Sequence, residues 1–186
     1  LNGGFMFQKI LAAVDRSDVS QQTFAAAVEL AKTLKAQLML INVLSPLEAT
    51  YPAPLYSARA AYPVAPESMH LYVQQWQTVE QEGLEFLRAK TEIATAAGIT
   101  TEFTQALGDP GHAICTLARS WNANLIMIGR RGYTGLGELF IGSVSNYVMH
   151  HAPCSVLTVQ GTVDLDSVEA AESTSETATP AEPLTV

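Results

Sequence analysis

The sequence predicts an α/β protein built on an open five-stranded parallel sheet with helices on both faces. Three observations predict it. Strand-length apolar runs alternate along the chain with helix-length segments, an order that calls for a parallel sheet covered on both sides. The runs are continuously apolar, as in Ile10-Leu11-Ala12-Ala13-Val14 and Leu125-Ile126-Met127-Ile128, which suits strands buried on both faces. Glycine and proline mark the boundaries between segments.

Gln8 to Val14 opens the chain as a buried strand. Ser17 or Asp18 can cap the helix that follows, where Phe24, Val28, Leu30, Ala31 and Leu34 recur at helical spacing. Gln37 to Val43 is the second strand. From Leu44 to Glu67 the prolines at 46, 52, 54, 63 and 66 exclude regular structure. This insert also holds Tyr51, Tyr56, Arg59 and Tyr62, and it reads as a mobile connection or a lid. Glu67 to Ala97 is a long helix with Tyr72, Trp76, Val79, Phe86 and Ile93 along one side, stopped by Gly98. Thr100 to Leu107 is the third strand, His112 to Trp121 a short helix, and Ala123 to Ile128 the fourth strand. Val144 to His151 and Cys154 to Gln160 supply the last helix and strand.

Composition sets the bounds. The 186 residues suit one domain, and 48% hydrophobic against 15% charged is ample for a core. No apolar run reaches the ~18–20 residues of a membrane helix. The first residues lack a basic stretch followed by a long apolar one, so no signal peptide is expected. Residues 1–5, ahead of Met6, read as an upstream extension or remnant. The formal charge of −8 is unevenly placed. Residues 161–186 hold Asp164, Asp166, Glu169, Glu172, Glu176 and Glu182 with no Lys or Arg. That stretch reads as a disordered acidic tail, and the rest is nearly neutral. Such a body lacks the basic face that nucleic acid requires. Cys115 and Cys154 have no CxxC neighbour and read as buried free thiols. His112, His150 and His151 form no metal set.

The most informative stretch is Gly129-Arg130-Arg131-Gly132, then nine residues, then Gly142-Ser143-Val144-Ser145. A buried strand ending in a glycine turn and feeding a helix is a common phosphate site. Glycines let the backbone approach the anion, and helix N-termini offer N–H donors with partial positive charge. The pattern is neither a Walker loop nor the dinucleotide fingerprint. Glycines serving only as turn residues are the alternative. Asp15, at the end of the first strand, is either a turn acid or an acceptor for a ligand's polar edge.

The Gly-x2-Gly-x9-Gly-Ser pattern resembles the nucleotide-binding motif of the universal stress protein family. The opening strand with its terminal Asp15, and the closing strand entered through Ala152-Pro153, are similar too. The resemblance covers residues 6–160. It implies strand order 3-2-1-4-5, the adenine nucleotide alpha hydrolase-like arrangement. The ligand then sits where the winding reverses, between the first and fourth strands, so Asp15 and Gly129 should face one crevice.

The resemblance implies a site for ATP or AMP, with Mg2+ accompanying ATP as an open alternative. It assigns Asp15 to the nucleoside and the backbone at Ala13 and Val43 to adenine. Ile128, Gly129, Arg131, Gly132, Gly142, Ser143, Val144 and Ser145 complete the set of residues expected to bind the nucleotide, the glycine loop and Ser143 on its phosphate side. It further implies a cytoplasmic stress-response regulatory module and a homodimer through the last strand, Cys154 to Gln160. The rivals are a slow ATPase or phosphotransfer enzyme, a flavodoxin-like electron carrier and a nucleotide-independent dimeric scaffold.

Overall fold

The computed structural model describes residues 7–45, 66–130 and 142–161. In chain order the elements are β1 (Lys9–Ala13), α1 (Asp18–Leu34), β2 (Gln37–Leu44), α2 (Pro66–Ala96) and β3 (Thr101–Leu107). They continue with α3 (Pro110–Trp121), β4 (Leu125–Arg130), α4 (Ser143–His151) and β5 (Ser155–Gln160). The five strands form one sheet in the order β3-β2-β1-β4-β5. Every pairing is parallel, from Lys9↔Gln37 through Arg130↔Gln160. The expected fold and strand order are therefore observed.

The continuous apolar strands are explained by two cores, one on each face. Ile10, Ala12, Leu38, Leu40, Leu125 and Met127 pack with Phe24 and Ala27 of α1 and Leu87 and Ala94 of α2. The alternate residues Leu11, Met39, Ile41, Ile126 and Ile128 pack with Ile114 and Ala118 of α3 and Val148 of α4. Period-two alternation of Cβ directions sends neighbours to opposite cores. Each fully buried aliphatic side chain contributes roughly 1.5–3 kcal/mol.

Boundaries moved for local reasons. Helix α3 begins at Pro110, ahead of the expected His112, because the Asp109 carboxylate accepts from the His112 N–H at 2.7 Å and Pro110 occupies the first turn. Strand β4 runs through Gly129 to Arg130, where a loop was expected, because β5 continues beside it as Gly129↔Val159 and Arg130↔Gln160. Leu44 closes β2 and Pro66 opens α2, so the insert is shorter at both ends than 44–67.

Cys115 is buried, Cys154 half-buried, and both are free thiols. Burial raises both thiol pKa values, and the nearby Cys115 adds to the rise at Cys154. Both therefore stay protonated and weakly reactive at neutral pH. The first six residues, residues 46–65 of the insert, Arg131, Gly132 and the acidic tail beyond Gly161 lie outside the described residues.

Candidate functional site

The reversal of winding between β1 and β4 opens a cavity at the carboxyl ends of the strands. It is lined by Ala13 and Asp15 after β1, Val43 of β2, Ile128 and Gly129 of β4, and Gly142, Ser143, Val144 and Ser145 at the start of α4. The described walls enclose about 190 Å³. All the expected site residues that are described thus meet in one place. Arg131 and Gly132 belong to the undescribed stretch. Val14, Ser17, Val19, Ser20, Ile41, Asn42 and Pro110 also line the cavity; the sequence marks Ser17 only as a helix cap and gives none of them a role in the site.

Asp15 is held in a tight local network. Its carboxylate oxygen Oδ1 accepts from the Ser17 N–H at 2.8 Å and from the Ser17 hydroxyl at 2.5 Å. The Asp15 N–H donates to Ser20 Oγ at 2.7 Å. Ser17 is also the N-cap of α1, accepting from the Ser20 N–H at 3.3 Å. These serines explain the local fold: short hydroxyl side chains bind backbone N–H groups at a helix start. They fix the acid at the cavity wall and join it to the first turn of α1.

The opposite wall is built differently. Gly142 is the N-cap residue of α4 and supplies no side-chain cap. The first-turn N–H groups, at Ser143, Val144 and Ser145, have no partner inside the helix by its geometry. The Ser145 hydroxyl turns back to donate to the Gly142 carbonyl at 3.0 Å, so it is used within the turn. Ser143 is exposed and Ser145 buried. What this wall presents is backbone N–H groups and the positive end of a helix dipole, an arrangement suited to an anion.

The two described motif glycines have different causes. A Cβ on Gly129 would lie 2.8 Å from Val19 Cγ1 and 3.1 Å from Thr23 Oγ1, so α1 packs onto the bare backbone of β4. Gly142 has φ −54°, open to any residue. Among the described residues a Cβ there would meet nothing nearer than Ser145 Oγ, at 3.5 Å.

Among the described residues no group of three His, Cys, Asp or Glu could hold a metal ion, and Asp15 is the single acid in the described cavity wall. No helix among them is long and apolar enough to cross a membrane. A second groove, between α2 and β3, is lined largely by Leu44, Trp76, Leu84, Phe103 and Leu107. It offers no helix N-terminus.

Comparison with known proteins agrees with this architecture. Residues 6–160 match the model of the universal stress protein family. The universal stress protein Sll1388 of Synechocystis is 36% identical over 157 residues, covering 83% of this chain and 98% of that protein. YxiE of Bacillus subtilis, another universal stress protein, is 36% identical over 155 residues, covering 83% and 100%. Among solved structures, the universal stress protein UspA from Lactobacillus plantarum superposes with a TM-score of 0.64 at 22% identity, covering 82% of this chain and 97% of that one. A universal stress protein in complex with cAMP gives 0.54 at 23%, covering 82% and 96%. The Archaeoglobus fulgidus universal stress protein in complex with dAMP gives 0.53 at 20%, covering 83% and 99%. With a family match across residues 6–160 and relatives matched over almost their whole length, this chain belongs to the universal stress protein family.

Proposed function

We propose that the crevice between β1 and β4 binds an adenine nucleotide, ATP or AMP, and that the protein is a regulatory module of the cytoplasmic stress response. The observation that carries the reading is Gly142. It stands at the uncapped start of α4, and nothing among its described neighbours excludes a side chain. A bare backbone there is accounted for by a phosphate approaching the first-turn N–H groups. Across the cavity, Asp15 and the backbone of Ala13 and Val43 offer hydrogen-bonding groups for the nucleoside. Ile128 and Val144 supply apolar wall between the two ends. The cAMP and dAMP complexes of the structural neighbours support the adenine assignment.

A binding module fits better than an enzyme. Phosphoryl transfer needs a positioned base and a metal at the phosphates. The carboxylate of Asp15, the single acid in the described wall, is engaged by Ser17, and this reading gives it to the nucleoside. Denaturing the purified protein and weighing the released small molecules by mass spectrometry tests the reading, with titration of AMP and ATP into stripped protein. Release of an adenine nucleotide, or saturable binding of one, is expected. Failure of both would end the proposal. Phosphate release on the minute scale would favour the slow ATPase alternative.

The module works as a homodimer in this reading. Strand β5 ends the described sheet, and Leu157 is 42% exposed. Antiparallel pairing of two such edges about a two-fold axis would cover both.

A further inference from the structure

Strand β2 carries one polar residue in the middle of its apolar end. In Leu40-Ile41-Asn42-Val43-Leu44, Asn42 is only 7% exposed. A buried amide needs partners, and the one it finds is informative. The Asn42 Nδ2 group donates to the Val14 carbonyl at 2.9 Å.

That carbonyl is where the sheet ladder would otherwise continue. Pairing of β1 with β2 ends at Ala13↔Ile41, although β2 runs on to Leu44. The last backbone bond is from the Val14 N–H to the Ile41 carbonyl, at 2.9 Å. In a parallel ladder the next rung would take the Val43 N–H to the Val14 carbonyl. The side-chain amide of Asn42 stands in its place. Since N–H directions alternate along a strand, the Val43 N–H points to the β1 side, where β1 has ended and the cavity begins. Asn42, Val43 and Val14 all line that cavity.

We infer that Asn42 is a positioning residue for the nucleoside end of the site. By satisfying the Val14 carbonyl it stops the ladder one rung early. This keeps the Val43 N–H available to a ligand acceptor. It also fixes the carbonyl immediately before Asp15, so the acid and the Val43 backbone face the cavity together. If the crevice takes an adenine nucleotide, as proposed above, the acceptor is a ring nitrogen of the purine. Asn42 acts through the Val14 carbonyl and the Val43 N–H.

The test uses Asn42→Leu, which keeps the branching and number of side-chain heavy atoms and removes the donor, and Asn42→His. The imidazole Nδ1 stands as far from the backbone as the asparagine amide nitrogen and restores an N–H donor. In ligand-free wild-type protein, amide hydrogen exchange at Val43 should be faster than at Ile41. Asn42→Leu should slow exchange at Val43 as the ladder closes, and Asn42→His should return it toward wild type. Adenosine and AMP should bind Asn42→Leu about tenfold more weakly, the cost of a lost hydrogen bond at this site, whereas pyrophosphate should bind as before. Equal exchange at Val43 and Ile41 in the wild type would overturn the inference. So would an Asn42→Leu protein that binds adenosine normally, or one that loses pyrophosphate equally. A wild type that binds no adenine compound refutes the ligand assignment, and the exchange comparison still decides the role of Asn42.

Discussion

Gly129, inside β4, and Gly142, at the mouth of α4, line the same cavity, yet among the described residues only the first meets atoms where a side chain would go. At Gly129 the constraint is internal: Val19 and Thr23 of α1 sit where a Cβ would go. At Gly142 the backbone angles and the described surroundings would accept alanine. One glycine is explained by packing. The other meets no such constraint among the described residues, and the proposed phosphate would account for it. A shared motif therefore does not mean a shared cause, and mutation can separate the two.

The largest effect is expected at Gly129. Gly129→Ala should destabilise the fold by about 3 kcal/mol, as a methyl forced against Val19 and Thr23 must shift α1 or strain it, measured by urea unfolding. Adding Val19→Ala should recover part of that loss, because the two sites share the contact. If Gly129→Ala is neutral, the packing explanation fails. Gly142→Val should leave the unfolding midpoint nearly unchanged and weaken AMP by about a hundredfold, close to 2.7 kcal/mol, read by calorimetry. An unfolded Gly142→Val protein, or one binding normally, would erase the contrast. A smaller effect is expected across the cavity. Asp15→Ala should weaken ATP and AMP alike, by about tenfold or 1.4 kcal/mol. A loss confined to ATP in the presence of magnesium would move the carboxylate to the phosphates and revive the hydrolase alternative.

Much of this was legible in the sequence, and the reasons differ by element. The buried strands were visible because doubly covered strands must be apolar throughout, as in Ile10–Val14 and Leu125–Ile128. The crevice was visible because the order of segments brings Asp15, Gly129 and Gly142 to the same edge of the sheet. The role of Gly129 was hidden, since Val19 and Thr23 lie more than a hundred residues away and their approach depends on how α1 crosses β4. The extension of β4 to Arg130 was equally hidden, because it depends on pairing with Gln160. Ser17 looked like an ordinary capping residue, which it is, but its bonds to Asp15 and the acceptance by Ser20 of the Asp15 N–H depend on how the chain turns into α1. Asn42 did leave a signal: a lone amide inside an otherwise apolar strand end.

The most direct test of the central claim is residue-resolved NMR of the isotope-labelled protein titrated with AMP. The amides of Asp15 and Val43 at one wall, and of Gly142 to Ser145 at the other, should shift together with one saturation curve. Those of Leu84 and Phe103 in the groove between α2 and β3 should stay in place. Saturable shifts at that groove, with the two walls of the β1–β4 crevice unmoved, would contradict the account.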